Sequence, residues 1–171
     1  LFAGELVCLI GPNGCGKSTL IRTLSGLQEG CSGSIFIKDE NIKSLNYHKR
    51  AKLISIVLTE RMNANSLSVQ QIVSLGRYPY TNWLGKLSSS DEEIIANSIG
   101  LVHLTEKKDN IYMELSDGEK QRAMIAKALA QDTSIVFLDE PTAHLDLPNK
   151  IDIMLLLRKL ARETKKSIFL S

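Results

Sequence analysis

The segment from residue 11 to residue 18 carries the clearest chemical pattern in the chain. It reads Gly-Pro-Asn-Gly-Cys-Gly-Lys-Ser and fits the arrangement G-x-x-x-x-G-K-[ST]. Glycines in such a loop let backbone N–H groups curl around phosphate oxygens without Cβ clashes. The Lys17 ammonium can reach terminal phosphates, and the Ser18 hydroxyl can ligate Mg²⁺. The spacing therefore predicts a loop that binds the phosphates of a nucleotide.

The elements on both sides of this loop fit the same prediction. The apolar run of residues 5–10 is typical of a buried strand, and residues 17–27 carry leucine and isoleucine at helical spacing. A helix that begins at the loop adds partial positive charge where the nucleotide is negative. The residues that we expect at the nucleotide are Asn13, Gly14, Cys15, Gly16, Lys17, Ser18 and Thr19.

Two adjacent acids, Asp139 and Glu140, directly follow the apolar run of residues 134–138. Burial of carboxylates at a strand end is costly unless a cation or a reaction uses them. The carboxyl edge of a parallel sheet is also where ligands bind. We therefore expect Asp139 in the Mg²⁺ shell and Glu140 as the residue that orients an attacking water. A solvated turn acid is the alternative interpretation, and it loses weight because the chain also has a phosphate loop.

Another helix start, at residues 115–122, has a composition that capping does not fully explain. Ser116 and Glu119 have the spacing of a capping box. Gly118 is an unfavourable choice in a first helical turn. A bare helix start that carries serine and glycine is an anion site, so Ser116 and Gly118 are further candidates for phosphate contact.

These candidate residues lie in a chain whose wider pattern is α/β. Apolar runs alternate with helical patterns, which favours a parallel sheet covered on both faces, and a helical stretch split by Pro79 looks like an insertion. The predicted strands are residues 5–10, 33–38, 54–58, 134–138 and 167–171. The predicted helices are residues 17–27, 90–101 with a box of Ser90 and Glu93, 116–131 and 148–163.

Composition excludes several other classes of protein. The 171 residues include 21 Lys and Arg against 19 Asp and Glu, a net charge of +2, so binding of nucleic acid through bulk charge is not expected. No stretch approaches the roughly 20 apolar residues of a membrane helix. Three cysteines without C-x-x-C spacing indicate neither a disulfide framework nor zinc and favour a reducing, cytoplasmic setting. Of these, Cys8 is expected in the core.

Four motifs in order give the chain a specific family resemblance. They are the phosphate loop 11–18, the segment 115–119, the acidic strand 135–140 and the segment 143–146, Ala-His-Leu-Asp. The chain resembles the ATP-binding subunit of ATP-binding-cassette (ABC) transporters. This resemblance implies a P-loop NTPase fold, a RecA-like and mostly parallel sheet with flanking helices. It also implies a catalytic core, 1–59 with 116–171, and an inserted helical subdomain, 60–115. We expect the core to be truncated at both ends.

The resemblance also implies cofactors and partners. ATP and Mg²⁺ would be bound by a homodimer, in which Ser116 and Gly118 act on the ATP of the other copy and Asp146 belongs to the D-loop. Integral-membrane permease subunits, and indirectly an external substrate-binding protein, would be the further partners. The chain would then lie peripherally at the cytoplasmic face of the cell (inner) membrane, and no nucleic-acid partner is expected.

A finer likeness comes from Gly76-Arg77-Tyr78-Pro79 together with Glu140-Pro141-Thr142. These elements resemble the ATPases of importers for iron-siderophores, haem or cobalamin. A helix end followed by a proline turn is the structural alternative for residues 76–79. Other functions in the same family are a soluble ATPase in DNA repair or translation, or a regulatory module that does not hydrolyse ATP. The short insertion disfavours the first, and the intact pair of acids disfavours the second.

The chain departs from the family pattern in the signature, with Asp117 and Glu119 where the family often has glycine and glutamine, and at the strand that enters the helical insertion. The family usually has glutamine at the end of the strand that enters the helical insertion, whereas this chain has Thr59 followed by Glu60. Either residue could support the metal, and the choice stays open. The family's adenine-stacking aromatic residue and its γ-phosphate histidine would lie outside these 171 residues, so this piece alone should bind and hydrolyse ATP poorly. For His144 we expect a structural or interface role.

Overall fold

The computed structural model of the protein describes residues 1–59, 62 and 64–171. The strands are Leu6–Cys8 (β1), Phe36–Ile37 (β2), Glu40–Asn41 (β3), Ile54–Val57 (β4), Ile135–Leu138 (β5) and Ser167–Leu170 (β6). The α-helices are Lys17–Leu24 (α1), Tyr47–Ala51 (α2), Val69–Ser74 (α3), Ser89–Leu101 (α4), Asp117–Ala130 (α5) and Leu147–Thr164 (α6). Short 3₁₀ helices are Ile42–Ser44, Leu75–Tyr80, Thr105–Lys107 and Tyr112–Glu114.

Four of the strands form one parallel sheet in the order β1-β6-β5-β4. Each neighbouring pair runs in the same direction, so the carboxyl ends of all four strands meet at one edge. Strands β2 and β3 form a separate antiparallel pair. The predicted α/β fold with a parallel sheet is confirmed, and this edge is where the phosphate loop and the two acids lie.

Both faces of the sheet are buried, as the alternation along β5 requires. Val136 and Leu138 point into a large core that also contains the buried faces of α5 and α6. Phe137 points to the opposite face, where it packs in a smaller core with Ile21 of α1. Its ring meets the ring of Phe169 edge-on, with centroids 5.8 Å apart. The prediction of a sheet covered on both faces is therefore correct.

Helices α3 and α4 pack against α5, and the segment Leu75–Tyr80 ties the three helices together. At Gly76 a Cβ would lie 2.2 Å from the carbonyl oxygen of Lys127, so only glycine allows this close approach of backbones. Arg77 is 5% exposed and donates to the Asp91 carboxylate at 2.8 Å and to the Ala130 carbonyl at 2.9 Å. Its guanidinium also lies 3.9 Å from the centroid of the Tyr80 ring. The first two residues of the G-R-x-P motif thus have a packing role.

The start of α4 differs from the predicted box of Ser90 and Glu93. Ser88 is the cap, and its reciprocal partner is Asp91. Asp91 accepts from the Ser88 backbone at 2.8 Å and from the Ser88 hydroxyl at 2.6 Å, and it also binds Arg77. Three consecutive serines offered several caps, and the tertiary contact with Arg77 favours the one that uses Asp91.

Three other local expectations are wrong. Cys8 lies on the edge strand β1 and is exposed, since nothing in the described part of the chain covers its side chain. The strand expected over 33–38 is reduced to Phe36–Ile37, and Gly33 before it has a left-handed φ of 86°. Helix α1 ends at Leu24 rather than near residue 27, because Gly26, two positions later, has a left-handed backbone. Across the part of the chain that the structure describes, none of the helices has the length and apolar character needed to cross a bilayer.

Candidate nucleotide-binding site

The phosphate loop leads into a helix whose start is open. Gly16 is the N-cap of α1 with a left-handed φ of 93°, and no side chain caps the helix. The N–H groups of a first turn have no partner within their own helix, so they are available to an anion. The Lys17 ammonium donates to the carbonyl oxygens of Gly11 and Pro12, both at 3.0 Å. Residues 12–16, including Asn13, Gly14 and Cys15, are exposed, as is Thr19.

A hydrogen bond joins this loop to the predicted metal ligand. The Ser18 hydroxyl donates to Asp139 Oδ1 at 2.9 Å, although 121 residues separate them. Asp139 is only 3% exposed, and its backbone N–H donates to the Val57 carbonyl at 2.9 Å. The structure therefore brings together the two residues that the sequence assigned to Mg²⁺. Among residues 1–59, 62 and 64–171, no basic group lies within 4.0 Å of the Asp139 carboxylate.

Thr59 lies next to the same acid. Its half-buried hydroxyl donates to the backbone carbonyl of Asp139 at 3.1 Å. The hydroxyl therefore supports the acid through its peptide group. The other candidate for this role, Glu60, lies outside the described residues.

Glu140 and Asp139 share a neighbour that the sequence interpretation missed. The Ser171 hydroxyl donates to Asp139 Oδ1 at 3.0 Å and accepts from the Glu140 backbone N–H at 3.2 Å. The Glu140 side chain is exposed, and its backbone has a left-handed φ of 49°. The strand register explains this contact: Leu138 pairs with Leu170, so the next residues on each strand are neighbours.

A cleft beside the acids brings in residues of α5. Thr59, Asp139, Glu140 and His144 line this cleft together with residues from the first turns of α5. The contributions of α5 are Asp117, Lys120, Gln121 and Met124. Lys120 and Gln121 were not predicted, but their spacing from Asp117 places all three on one helix face. His144 is exposed and has a left-handed φ of 63°.

The start of α5 is capped rather than bare. The Ser116 hydroxyl accepts from the Glu119 N–H at 3.3 Å, and the Glu119 carboxylate accepts from the Ser116 N–H at 3.0 Å. Lys107 forms an ion pair with Glu119 and lowers the pKa of that carboxyl, with a further contribution from the Ser116 backbone. The predicted box is confirmed, and it occupies the helix start that was expected to be bare.

Two further predicted residues meet at the start of α6. A Cβ at the buried Gly118 would lie 2.9 Å from the Asn149 side-chain oxygen, so a larger residue there would require the Asn149 side chain to move. Asp146 caps α6 by accepting from the Asn149 N–H at 3.0 Å. Asp146 thus has a structural role in the single chain, beside any role toward a second copy.

Comparison with known proteins defines the class of this protein. A sequence model of the family described as ABC transporter matches residues 1–143. The chain therefore belongs to the ABC transporter family.

Individual relatives refine the comparison. The petrobactin import ATP-binding protein FpuD of Bacillus anthracis is 39% identical over 165 residues, which cover 96% of this chain and 60% of FpuD. The ferric enterobactin transport ATP-binding protein FepC of Escherichia coli is 38% identical over 160 residues, which cover 94% and 59%. The chain thus spans about 60% of the length of these relatives. The resemblance to ATP-binding subunits of iron-chelate importers is confirmed.

A solved structure agrees with the same fold. CbiO1 of Clostridium perfringens, part of the ABC transporter complex CbiONQ, superposes with a TM-score of 0.85 at 31% identity. The superposition covers 98% of this chain and 66% of CbiO1. The P-loop NTPase fold expected from the motifs is confirmed.

Proposed function

We propose that this chain is the ATP-binding and ATP-hydrolysing part of a subunit that powers an ABC-type importer. The observation that carries the proposal is the hydrogen bond from Ser18, in the phosphate loop, to the buried acid Asp139 at the carboxyl edge of the sheet. Family membership supports ATP as the nucleotide.

The phosphate loop would receive the ATP phosphates. The open start of α1 offers N–H donors, and Lys17 holds two carbonyl oxygens that it can exchange for phosphate oxygens. A carbonyl oxygen carries only partial charge, so an ammonium gains more from a phosphate. The binding residues remain Asn13 to Thr19, as the sequence predicts.

The residues at the sheet edge fit Mg²⁺, which prefers oxygen ligands and keeps several waters. Ser18 and Asp139 would hold the ion, with Thr59 fixing the Asp139 peptide. In the described part of the chain no cluster of three His, Cys, Asp or Glu could bind a metal by itself. A site with one acid and one hydroxyl suits an ion whose other ligands are phosphates and water. Bound Mg²⁺ would supply charge neutralisation at the phosphates.

Glu140 would orient the attacking water. Its carboxylate is exposed at the cleft, and its left-handed backbone separates it from the buried side chain of Asp139. The two adjacent acids thus have different surroundings, which suits two different tasks.

The remaining parts of the proposal concern partners. Two copies would pair so that Ser116 and Gly118 of one face the ATP of the other, with Asp146 at the interface. Permease subunits would contact the helical subdomain, 60–115, and hold the protein at the cytoplasmic face of the cell membrane. The names of FpuD and FepC favour an iron-chelate as cargo. They do not favour the alternative role in DNA repair or translation.

Substitution Glu140→Gln in the full chain tests the catalytic part. The amide retains the shape of the side chain but cannot accept the water proton, so turnover should fall by about 100-fold or more while ATP remains bound. Glu163→Gln is the matched control, because Glu163 is exposed and its ion-pair partner in the described part of the chain is Lys159, at 4.0 Å. Turnover of Glu140→Gln within a few-fold of the parent would contradict the assignment.

A second experiment tests the transport part. The full-length protein is purified from its own membranes in mild detergent, and bound proteins are identified by mass. An importer subunit should recover a protein with several membrane spans. Recovery from the soluble fraction alone, with no such partner, would contradict the importer proposal.

A further inference from the structure

Ser171 occupies the point where the ends of two neighbouring strands meet at the acids. Its backbone N–H continues the ladder to the Leu138 carbonyl at 3.1 Å, so the residue is fixed beside β5. Its hydroxyl is then held between Asp139 Oδ1, to which it donates, and the Glu140 N–H, from which it accepts. One hydroxyl thus contacts both of the acids to which the proposed function assigns the metal and the water.

The contact with Asp139 determines which carboxylate oxygen is used. Oδ1 accepts hydrogen bonds from both Ser18 and Ser171. Oδ2 accepts none from the residues that the structure describes. Because Oδ1 is held from two sides, the carboxylate has one fixed orientation, and Oδ2 is the oxygen left for a cation.

The contact with Glu140 supports an unusual backbone. A φ of 49° is uncommon for a residue with a side chain and persists only where neighbouring contacts hold it. The Ser171 hydroxyl accepts from the N–H of this residue and thereby fixes the peptide plane on its amino side. Since that plane sets the direction in which the Glu140 side chain leaves the strand, Ser171 acts on the second acid as well.

We propose that Ser171 is a positioning residue for the ATPase reaction. Its hydroxyl orients Asp139 toward Mg²⁺ and Glu140 toward the water. This role rests on the proposed function of the site. A purely structural hydroxyl at a strand end would instead stabilise the fold without any link to the metal.

The same strand offers a matched control for that structural role. Ser167, at the other end of β6, is buried, and its hydroxyl donates to the Phe2 carbonyl at 2.8 Å. Substitution Ser167→Ala removes a strand hydroxyl and one hydrogen bond but leaves the acids untouched. Any effect common to both alanine variants is therefore a general effect on the strand.

The test measures binding of a fluorescent ATP analogue to the full chain, without divalent cation and over a range of Mg²⁺ concentrations. Mg²⁺ should strengthen binding of the analogue, and Ser171→Ala should need about tenfold more Mg²⁺ than the parent to reach half of this increase. Residues that orient metal ligands typically have an effect of this size. Binding to Ser171→Ala in EDTA should equal that of the parent, because the described hydrogen bonds of Ser171 go to residues 138–140 and not to the phosphate loop. Ser171→Thr retains the hydroxyl, so its Mg²⁺ midpoint should lie within twofold of that of the parent. Ser167→Ala should not shift the Mg²⁺ midpoint.

Turnover gives an independent readout and a second variant. Ser171→Ala should lower kcat by about 10-fold to 100-fold with little change in KM for ATP. In Ser171→Cys the side chain has nearly the size of serine, but its thiol is a weak hydrogen-bond donor. The kcat of this variant should therefore lie between those of the alanine and threonine variants. An Mg²⁺ midpoint for Ser171→Ala within twofold of the parent, or a threonine variant as impaired as alanine, would overturn the role.

The parent protein separates this inference from the proposed function. If Mg²⁺ strengthens ATP binding to the parent and equally to Ser171→Ala, only the role of Ser171 fails. If Mg²⁺ has no effect on the parent, the proposed ATPase site itself fails.

Discussion

Two buried aspartates, Asp91 in the helical part and Asp139 at the sheet edge, have opposite kinds of neighbours. They are 6% and 3% exposed, respectively, and each accepts hydrogen bonds from serine hydroxyls. Asp91 in addition forms a 2.8 Å ion pair with Arg77, itself buried. Within the described ranges Asp139 has only neutral donors. The two acids thus differ in whether a described residue supplies a cation.

This difference distinguishes a carboxylate that stabilises the fold from a carboxylate of the candidate nucleotide-binding site. A buried carboxylate with a cation is satisfied, and removal of either partner leaves an unpaired charge. A buried carboxylate without a cation keeps an unfavourable desolvation energy unless a ligand neutralises it. In the proposed function, the contrast favours Asp139 over Asp91 as the acid that binds Mg²⁺.

The largest expected effects come from exchanging each acid for its amide. Asp139→Asn should lower Mg²⁺-dependent turnover by about 100-fold or more, and it should not lower the free energy of unfolding, because it removes an uncompensated charge. Asp91→Asn should lower the free energy of unfolding by about 3 kcal/mol because Arg77 loses its partner, while turnover of the folded protein stays within a few-fold. ATPase assays and denaturant unfolding of both variants measure these quantities.

The comparison would break if the two variants behaved alike. A stability loss in Asp139→Asn as large as that in Asp91→Asn would make both acids structural. Loss of turnover in Asp91→Asn would instead make the helical part a direct contributor to the reaction.

A smaller effect is expected from the glycine that lets the Arg77 segment approach α5. Gly76→Ala should lower the free energy of unfolding by about 2 kcal/mol, because its Cβ would meet the Lys127 carbonyl at 2.2 Å. Gly100→Ala is the control, since the nearest atom to its Cβ, Thr105 Oγ1, is 3.9 Å away and alanine favours a helix. It should be neutral or stabilising by up to about 1 kcal/mol. Equal unfolding midpoints for the two variants would remove the packing role of Gly76.

The pH dependence of stability sharpens the comparison further. The Ser88 hydroxyl foremost, then the Ser88 backbone and Arg77, lower the pKa of Asp91 from 3.8 to about 2. A carboxyl group whose pKa is lower in the folded state stabilises the protein at any pH above its ordinary, unfolded-state pKa. This stabilisation is lost as the pH falls toward the pKa of the folded state. The difference in melting temperature between the parent and Asp91→Asn should therefore be constant above about pH 5 and shrink between pH 4 and pH 2. A difference that does not change over this range would contradict the ionised pair.

The smallest effect is expected at the capped start of α5. Glu119→Gln retains the reciprocal cap with Ser116 and loses only the ion pair with Lys107, whose side chain is 46% exposed. Such a pair contributes less than about 1 kcal/mol, so the unfolding midpoint should move little. Lys107→Met should give an equally small change. A larger loss in the glutamine variant would show that the charge of Glu119 matters beyond the cap.

Local patterns in the sequence predicted the parallel sheet, the phosphate loop and the acids Asp139 and Glu140. Each of these is encoded by neighbouring residues, either as an apolar run or as a spacing within eight positions. The ion pair of Arg77 with Asp91 and the contacts of Ser171 were not predicted. They depend on how α4 folds back on the 76–79 segment and on β6 lying beside β5, and such tertiary neighbours are not encoded in a local pattern.

The choice of helix cap gives the same lesson on a smaller scale. Ser88 and Ser90 are equally good caps as isolated residues. The structure uses Ser88, since its partner Asp91 can also reach Arg77. A tertiary contact thus decides between two local solutions that the sequence leaves equal.

Direct measurement of metal uptake tests the central proposal that Asp139, which has no cationic partner among the described residues, binds the metal. Mn²⁺ replaces Mg²⁺, and electron paramagnetic resonance of the full chain counts the bound ion with and without ATP. The parent and Asp91→Asn should each take up one Mn²⁺ per chain when ATP is present, and Asp139→Asn should bind at least tenfold more weakly. Equal Mn²⁺ affinity in the parent and Asp139→Asn would contradict the claim.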